Sequence, residues 1–457
     1  MGVWGREVSP PIIMYRKALE YIKKWHQKEN RKPLIIRGAR QVGKSYLVRE
    51  FARRESLSLL EINFEKNPEA ADLFDKRSIK RTCEFLEIQY KTRIEPKTTL
   101  LFLDEIQAAP QVIPVLRYFY EEKPELSIVA AGSLLEFVLK EHSFSMPVGR
   151  LEYMHLGPMT FEEFLEANGE VGLKKFIGEF HLKNTIPLPI HQKLMDQVRI
   201  YCITGGMPEA VSTFLQSSWE GCEAVKRNIL STYEDDFSKY RQRIPDLRLR
   251  KVFQKMPRLI GEKLKYVHID PLERAKDLSL ALDLLCMARV GHRVTHSSSN
   301  GVPLGAEINE KFFKLLFLDI GLASSVCGLN RLGFEKEKDL NLVNEGRLAE
   351  QFVGQHLLYD LPPYQTPELY YWAREKKNAS AEIDYVVSQG PQVIPIEVKS
   401  GKSGSLRSLH LFLREKRLSL GIRFNSEPPT VLKEKDFTLL SLPFYFVGHW
   451  RRLVETL

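Results

Sequence analysis

Gly38-Ala39-Arg40-Gln41-Val42-Gly43-Lys44-Ser45 decides the fold of this chain. It reads G-x-x-x-x-G-K-S, the pattern of a phosphate-binding loop. Gly38 and Gly43 allow a tight loop whose backbone N–H groups turn inward onto phosphate oxygens. Lys44 adds a point charge for the β- and γ-phosphates of a nucleoside triphosphate, and Ser45 adds a hydroxyl for Mg2+. The flanks agree. Pro33-Leu34-Ile35-Ile36 is a short apolar run suited to a buried parallel strand, and residues 46–52 place apolar side chains at helical spacing. The helix aims its positive end at the same anion.

Working outward, strand-like runs recur at Leu59-Leu60-Glu61-Ile62-Asn63-Phe64, Thr99-Leu100-Leu101-Phe102-Leu103 and Ser127-Ile128-Val129-Ala130-Ala131. Helical patterns separate them, and alternation of this kind predicts an α/β fold, a parallel sheet with helices on both faces. The run Leu100-Leu101-Phe102-Leu103 ends in Asp104-Glu105. In phosphate-loop enzymes an Asp here holds Mg2+ and the following Glu polarises the attacking water. Ala131-Gly132-Ser133 ends another buried run, so Ser133 reads either as a sensor beside the γ-phosphate or as a plain strand-end turn. Arg150 reads either as a guanidinium that stabilises charge on a transferring phosphoryl group or as a structural ion-pair partner.

The bulk properties agree with a globular protein. The 457 residues are 43% apolar and 27% charged, enough for several domains with real cores. No apolar run approaches the ~18 residues of a membrane span, and residues 1–10 lack the apolar core of a secretion signal. Cys83, Cys202, Cys222, Cys286 and Cys327 are dispersed with no C-x-x-C pair, which points to reduced thiols in a cytoplasmic protein. The net charge of +9 permits contact with DNA without requiring it.

The remainder is read as three further segments. Residues 1–165 hold the nucleotide core and residues 166–265 a helical lid, which includes basic clusters at 239–243 and 248–251. Residues 266–340 read as a winged-helix-like module, with a hairpin around the Gly/Ser/Asn turn at 297–301. Residues 341–457 form an αβ-rich domain. Within it, a polar turn at 376–380 separates two strands, and Ala381-Glu382-Ile383-Asp384 is followed by Pro395-Ile396-Glu397-Val398-Lys399. Side chains alternate along a strand, so Glu397 and Lys399 share one face and Ile396 and Val398 the other. Carboxylates on that face hold Mg2+ with waters left on it, although an ordinary amphipathic strand reads the same way. Glu350 is a helix-borne carboxylate upstream.

The loop, Phe102-Leu103-Asp104-Glu105-Ile106-Gln107, Ala131-Gly132-Ser133-Leu134-Leu135, Gly157-Pro158-Met159-Thr160-Phe161-Glu162-Glu163-Phe164 and Thr204-Gly205-Gly206-Met207-Pro208 occur in an order and spacing that resemble a prokaryotic family. These are AAA-type ATPases whose C-terminal half has a restriction-endonuclease-like core. The resemblance spans nearly the whole chain. It implies a P-loop sheet of the additional-strand type, ATP as nucleotide and Pro208 packed near the adenine. It also implies that Asp384, Glu397 and Lys399, with Glu350, match the D-(x)n-E-x-K set of nucleases. Two functions follow as expectations. One is an ATP-hydrolysing enzyme whose C-terminal domain grips or cuts DNA. The other is a slow nucleotide-dependent signalling or regulatory switch whose C-terminal domain only recognises a partner, with a homo-oligomer or a protein partner both open.

Overall fold

The structure, a computed structural model, describes residues 14–133, 135, 149–237, 244–329, 345–374, 380–400 and 406–457. Residues 1–10, the basic cluster at 239–243 and the polar turn at 376–380, save Ser380, lie outside the described residues.

β1 (Leu34–Arg37), β2 (Ser58–Asn63), β3 (Thr99–Asp104), β4 (Ser127–Gly132) and β5 (Glu152–His155) form one parallel sheet, in the order β2-β3-β4-β1-β5. β4 therefore sits between the loop strand β1 and the Asp-Glu strand β3, as the resemblance implies. β3 and β4 are buried along their whole length. Their residues alternate between two layers, which is why the runs are apolar throughout. Leu100, Phe102, Val129 and Ala131 meet Leu19, Ile22, Leu47 and Phe51 of α1 (Ala18–His26) and α2 (Lys44–Arg54). Leu101, Leu103, Ile128 and Ala130 meet Ile79, Leu86, Leu116 and Phe119 of α3 (Ile79–Tyr90) and α4 (Val115–Glu122). Because the strands are parallel, their carboxyl ends share one edge, and that edge carries Gly38, Asp104 and Ser133.

A helical middle region follows: α5 (Phe161–Ala167), α6 (Val171–Glu179), α7 (Leu188–Thr204), α8 (Pro208–Gln216), α9 (Trp219–Asp236), α10 (Asp246–Lys255) and α11 (Ala275–Met287). α5 opens with a capping box. The Thr160 hydroxyl accepts from the Glu163 N–H, and the Glu163 carboxylate accepts from the Thr160 N–H.

The second sheet is mixed, in the order β12-β13-β11-β10-β9-β8-β6-β7. Its strands are β6 (Gly291–Ser297), β7 (Ile308–Phe317), β8 (Leu369–Arg374), β9 (Ala381–Gln389), β10 (Gln392–Val398), β11 (Leu420–Asn425), β12 (Thr430–Lys433) and β13 (Thr438–Pro443). α13 (Glu345–Tyr359) and α14 (Arg407–Lys416) pack on it, and α12 (Ile320–Val326) packs between α13 and the middle helices α7 and α9. The hairpin expected in a separate winged-helix-like module over 266–340 is β6–β7, and it belongs to this sheet. β6 pairs in parallel with β8, so the hairpin is an edge pair of the C-terminal sheet. The reason lies in the second half of β7, where Phe313 to Phe317 are all buried. Phe313, Leu315 and Phe317 join the core of the middle helices. Leu316 points the other way, into the core of the C-terminal sheet. A wing leaves one face in water, and this strand does not.

No helix among the described residues is long and apolar enough to cross a membrane. All five cysteines are free thiols. If both faces of β7 are buried, Leu315→Ala and Leu316→Ala should each destabilise the chain by about 2–5 kcal/mol. Urea unfolding midpoints check this; a near-neutral effect at either position would return the hairpin to a one-sided wing.

Candidate nucleotide site and a buried carboxylate cluster

The loop closes α2 onto β1. An added Cβ at Gly38 would lie 2.3 Å from the Leu156 carbonyl oxygen, so only glycine lets β1 pass that backbone. Gly43 caps α2 at φ +93°, a conformation L side chains rarely adopt. Lys44 is buried, and its ammonium donates to the carbonyls of Gly38 (3.1 Å) and Ala39 (2.7 Å). Burial lowers its pKa to about 8, against the pull of Glu105 and Asp104.

Ser45 Oγ donates to Asp104 Oδ2 at 2.9 Å, and Asn63 Nδ2 donates to the same oxygen at 3.3 Å. Burial raises the Asp104 carboxyl. A hydroxyl and a carboxylate oxygen side by side are the donors a hard cation takes, so the residues present fit Mg2+. Glu105 follows in the left-handed region at φ +50°, a costly conformation for a non-glycine residue. Gln107 Nε2 donates to its Oε2 at 2.5 Å. Gly132 leaves room for Gln107, because a Cβ there would meet Gln107 Oε1 at 2.3 Å. The chain turn and the amide together fix where the Glu105 carboxylate points.

Ser133 is buried at the end of β4, and its Oγ accepts from Arg40 Nε at 3.3 Å. Arg40 belongs to the loop itself. Its guanidinium pairs with Asp236 on α9 and with Glu65 at 3.2 Å. Tyr233, one turn earlier on α9, donates to the Arg40 carbonyl at 2.7 Å. Pro208 also reaches the loop, with its Cγ 3.4 Å from where a Gly43 Cβ would stand.

Arg150 is placed elsewhere. It lies just before β5, at the opposite edge of the parallel sheet from the loop, and its Nε pairs with Glu121 of α4 at 3.2 Å. Within one chain it does not reach the phosphate loop.

One residue at the loop was not legible in the sequence. Arg16 is buried and donates to the Val42 carbonyl (2.8 Å), the Gly157 carbonyl (2.8 Å) and Glu163 Oε2 (3.1 Å). Glu163 Oε1 accepts from the Lys17 N–H at 2.6 Å. Glu163 caps α5, and its second use, holding Arg16 against the loop, carries no local signal in the sequence.

A second polar centre lies between β7, β9, β10 and α13. Asp384 Oδ2 accepts from the Val398 N–H at 2.8 Å. Glu397 pairs with Lys399 at 2.5 Å, and its other carboxylate oxygen is buried without a hydrogen-bond partner. Glu350 stands near, and two further neighbours, Lys314 and Glu382, join them. Lys314 of β7, its side chain 3% exposed, lies 2.5 Å from Glu382, 3.3 Å from Glu350 and 3.5 Å from Asp384. Burial pulls the Lys314 ammonium down, but Glu350, Asp384 and Glu382 outweigh it and hold it protonated. Burial lifts the Glu350 carboxyl to about 8 and, with Asp384 beside it, Glu397 to about 7. Among the described residues no group of three or more His, Cys, Asp or Glu side chains is arranged to hold a metal ion.

Known proteins can now be set beside this geometry. Residues 30–165 match the family described as an AAA domain. All five strands of the first sheet lie within that match. Residues 195–333 and 345–445 match two families described as domains of unknown function, DUF8612 and DUF4143. No curated protein matches the chain. Among solved structures, a Walker-type ATPase of Pyrococcus abyssi is 15% identical with a TM-score of 0.42, over 69% of this chain and 96% of that one. The ORC2 protein of Aeropyrum pernix, solved as ADPNP and ADP complexes, is 12% identical with a TM-score of 0.39, over 72% and 98%. Domain III of the replication initiation protein DnaA of Thermotoga maritima is 15% identical with a TM-score of 0.23, over 36% and 78%.

Removing Arg16 strands a buried carboxylate, so Arg16→Met should cost about 3–5 kcal/mol of stability. It should also weaken binding of a fluorescent ATP analogue. Thermal unfolding and a nucleotide titration check the two effects; a variant as stable as the parent would remove Arg16 from the architecture of the loop.

Proposed function

We propose that this chain binds ATP with Mg2+ on the loop Gly38 to Ser45, hydrolyses it, and uses turnover as a switch read by its C-terminal sheet. The observation that carries the proposal is the closure of Ser45 on Asp104 at 2.9 Å, beside the buried Lys44. Ser45 and Asp104 hold Mg2+, which supplies neutralisation of phosphate charge. Lys44 leaves the carbonyls of Gly38 and Ala39 for the β- and γ-phosphates. Glu105 takes a proton from the water that attacks the γ-phosphorus. The bond from that phosphorus to the bridging oxygen breaks, and ADP leaves with the oxygen. Ser133 and Arg40 adjoin the γ-phosphate, and Pro208 packs by the adenine. Any part Arg150 takes in turnover is exercised on a neighbouring copy of the chain.

The switch reading is favoured by how the loop is held. α9 grips Arg40 through Tyr233 and Asp236, and α8 begins at Pro208 against Gly43. Two residues before Pro208, the Gly206 N–H donates to the buried Asp319 at 2.7 Å. Asp319 follows β7 and also accepts from Gln355 of α13 at 3.4 Å. A displacement of the turn at Gly206 therefore acts on β7 and α13, which carry Lys314 and Glu350. The placement of Asp384 and Glu397 on adjacent strands supports a restriction-endonuclease-like core over 341–457, extended by the hairpin. We read that core as recognising a partner, DNA or protein, in a nucleotide-dependent way.

Lys44→Ala should lower ATP turnover by roughly 100-fold or more; phosphate release at unchanged rate would sink the ATPase reading. Addition of ATP and Mg2+ should change amide exchange across residues 381–398 in the parent chain. Asp319→Asn should bind ATP yet lose that change. Exchange that responds equally in both proteins would separate the nucleotide site from the C-terminal sheet.

A further inference from the structure

A restriction-endonuclease-like core implies a divalent metal among Asp384, Glu397 and Glu350, and the residues present do not fit one. The space the metal needs is taken by an ammonium group. Lys314 Nζ stands within 3.5 Å of Glu350, Glu382 and Asp384, and its side chain is 3% exposed. Burying an ammonium costs several kcal/mol unless carboxylates compensate it. Here three do. Mg2+ would have to approach the same oxygens to about 2.0–2.1 Å, which the lysine head group prevents by volume and by charge.

We propose that Lys314 is the resident cation of this cluster and that the site, so filled, takes no metal and cuts no phosphodiester. The proposal rests on the restriction-endonuclease-like reading of the core, not on the ATPase reading. Four carboxylates, Glu350, Glu382, Asp384 and Glu397, face three ammonium groups: Lys314, Lys399 and, at the outer acid Glu382, Lys263 at 3.4 Å. One buried Glu397 oxygen has no hydrogen-bond partner. The cation is brought from outside the domain that supplies the acids. Lys314 lies within residues 195–333, whereas the four carboxylates and Lys399 lie within residues 345–445. The β6–β7 hairpin thus plugs a cavity that its neighbour would otherwise offer to a metal. Lys399, paired with Glu397, is likewise engaged in neutralising the cluster.

The test uses the full chain without nucleotide, so the phosphate loop contributes little to metal binding. Mn2+ is the probe, read by thermal shift and by electron paramagnetic resonance. The parent chain should show no Mn2+-dependent shift that Asp384→Asn removes. Lys314→Ala should acquire one Mn2+ per chain and a melting temperature that rises with Mn2+, and adding Glu397→Gln should abolish both. Lys314→Gln, which keeps the side-chain length, should behave alike if the alanine variant folds poorly. Mn2+ bound by the parent chain in an Asp384-dependent way would overturn the proposal. So would Mg2+-dependent DNA cleavage by the parent that is lost in Asp384→Ala and Lys399→Ala, or folded Lys314 variants that take no metal. A defect in ATP turnover at Lys44 leaves each of these outcomes unaltered, so the two readings fail separately.

Discussion

The buried carboxylate of Asp319 ties the molecule together. It is fully shielded from solvent, and burial raises its pKa. Backbone N–H groups of Gly206 and Leu322 and the side chain of Gln355 answer it. Those three donors belong to the turn beside the phosphate loop, to α12 and to α13. A carboxylate so buried is tolerable only with its donors in place, so the positions of three separate segments are fixed by one side chain. Gly205 and Gly321 make the approach possible: a Cβ on Gly205 would lie 2.1 Å from Asp319 Oδ1, and one on Gly321 2.5 Å from the Gly205 nitrogen.

What the sequence showed and what it hid follow from range. The loop from Gly38 to Ser45 and the acids Asp104 and Glu105 are local patterns, each placed by a strand end, and they read directly. The order of the first sheet followed from resemblance. Arg16 is 26 residues from the carbonyl it binds, and Arg40 is 196 residues from Asp236. No window of sequence contains either pair. The β6–β7 hairpin was misassigned for a related reason. Its local signals, a polar turn between apolar runs, are those of any hairpin, and only its partner β8 says which sheet it joins. Arg150 was a residue type in a suggestive place; the direction of β5 puts it at the edge of the sheet away from the loop of its own chain. Glu350, Asp384, Glu397 and Lys399 were singled out from the sequence and do gather, but Lys314, which alters their chemistry, lies 36 residues before Glu350.

The two polar centres differ in how their charge is balanced. At the phosphate loop the acids Asp104 and Glu105 stand next to Lys44, whose ammonium is held only by backbone carbonyls and is free to be drawn to a stronger anion. In the C-terminal cluster Lys314 is enclosed by carboxylates, and Glu350 and Asp384 would be left short of a counter-charge if it moved. The first arrangement suits exchange of a ligand and the second suits permanence.

The position of the hairpin has a consequence for how the larger sheet meets other molecules. Its two outer strands are β7 and β12. The first half of β7, Ile308 to Phe312, is exposed and carries Glu310 and Lys311, while β12 is only four residues long, fully exposed, and ends in Lys433. Charged residues and short strands at a sheet margin discourage a further strand from pairing there. Filament growth by strand addition is thereby disfavoured at both margins. A partner that binds this sheet has to do so through its side chains and covering helices, not by extending its backbone ladder.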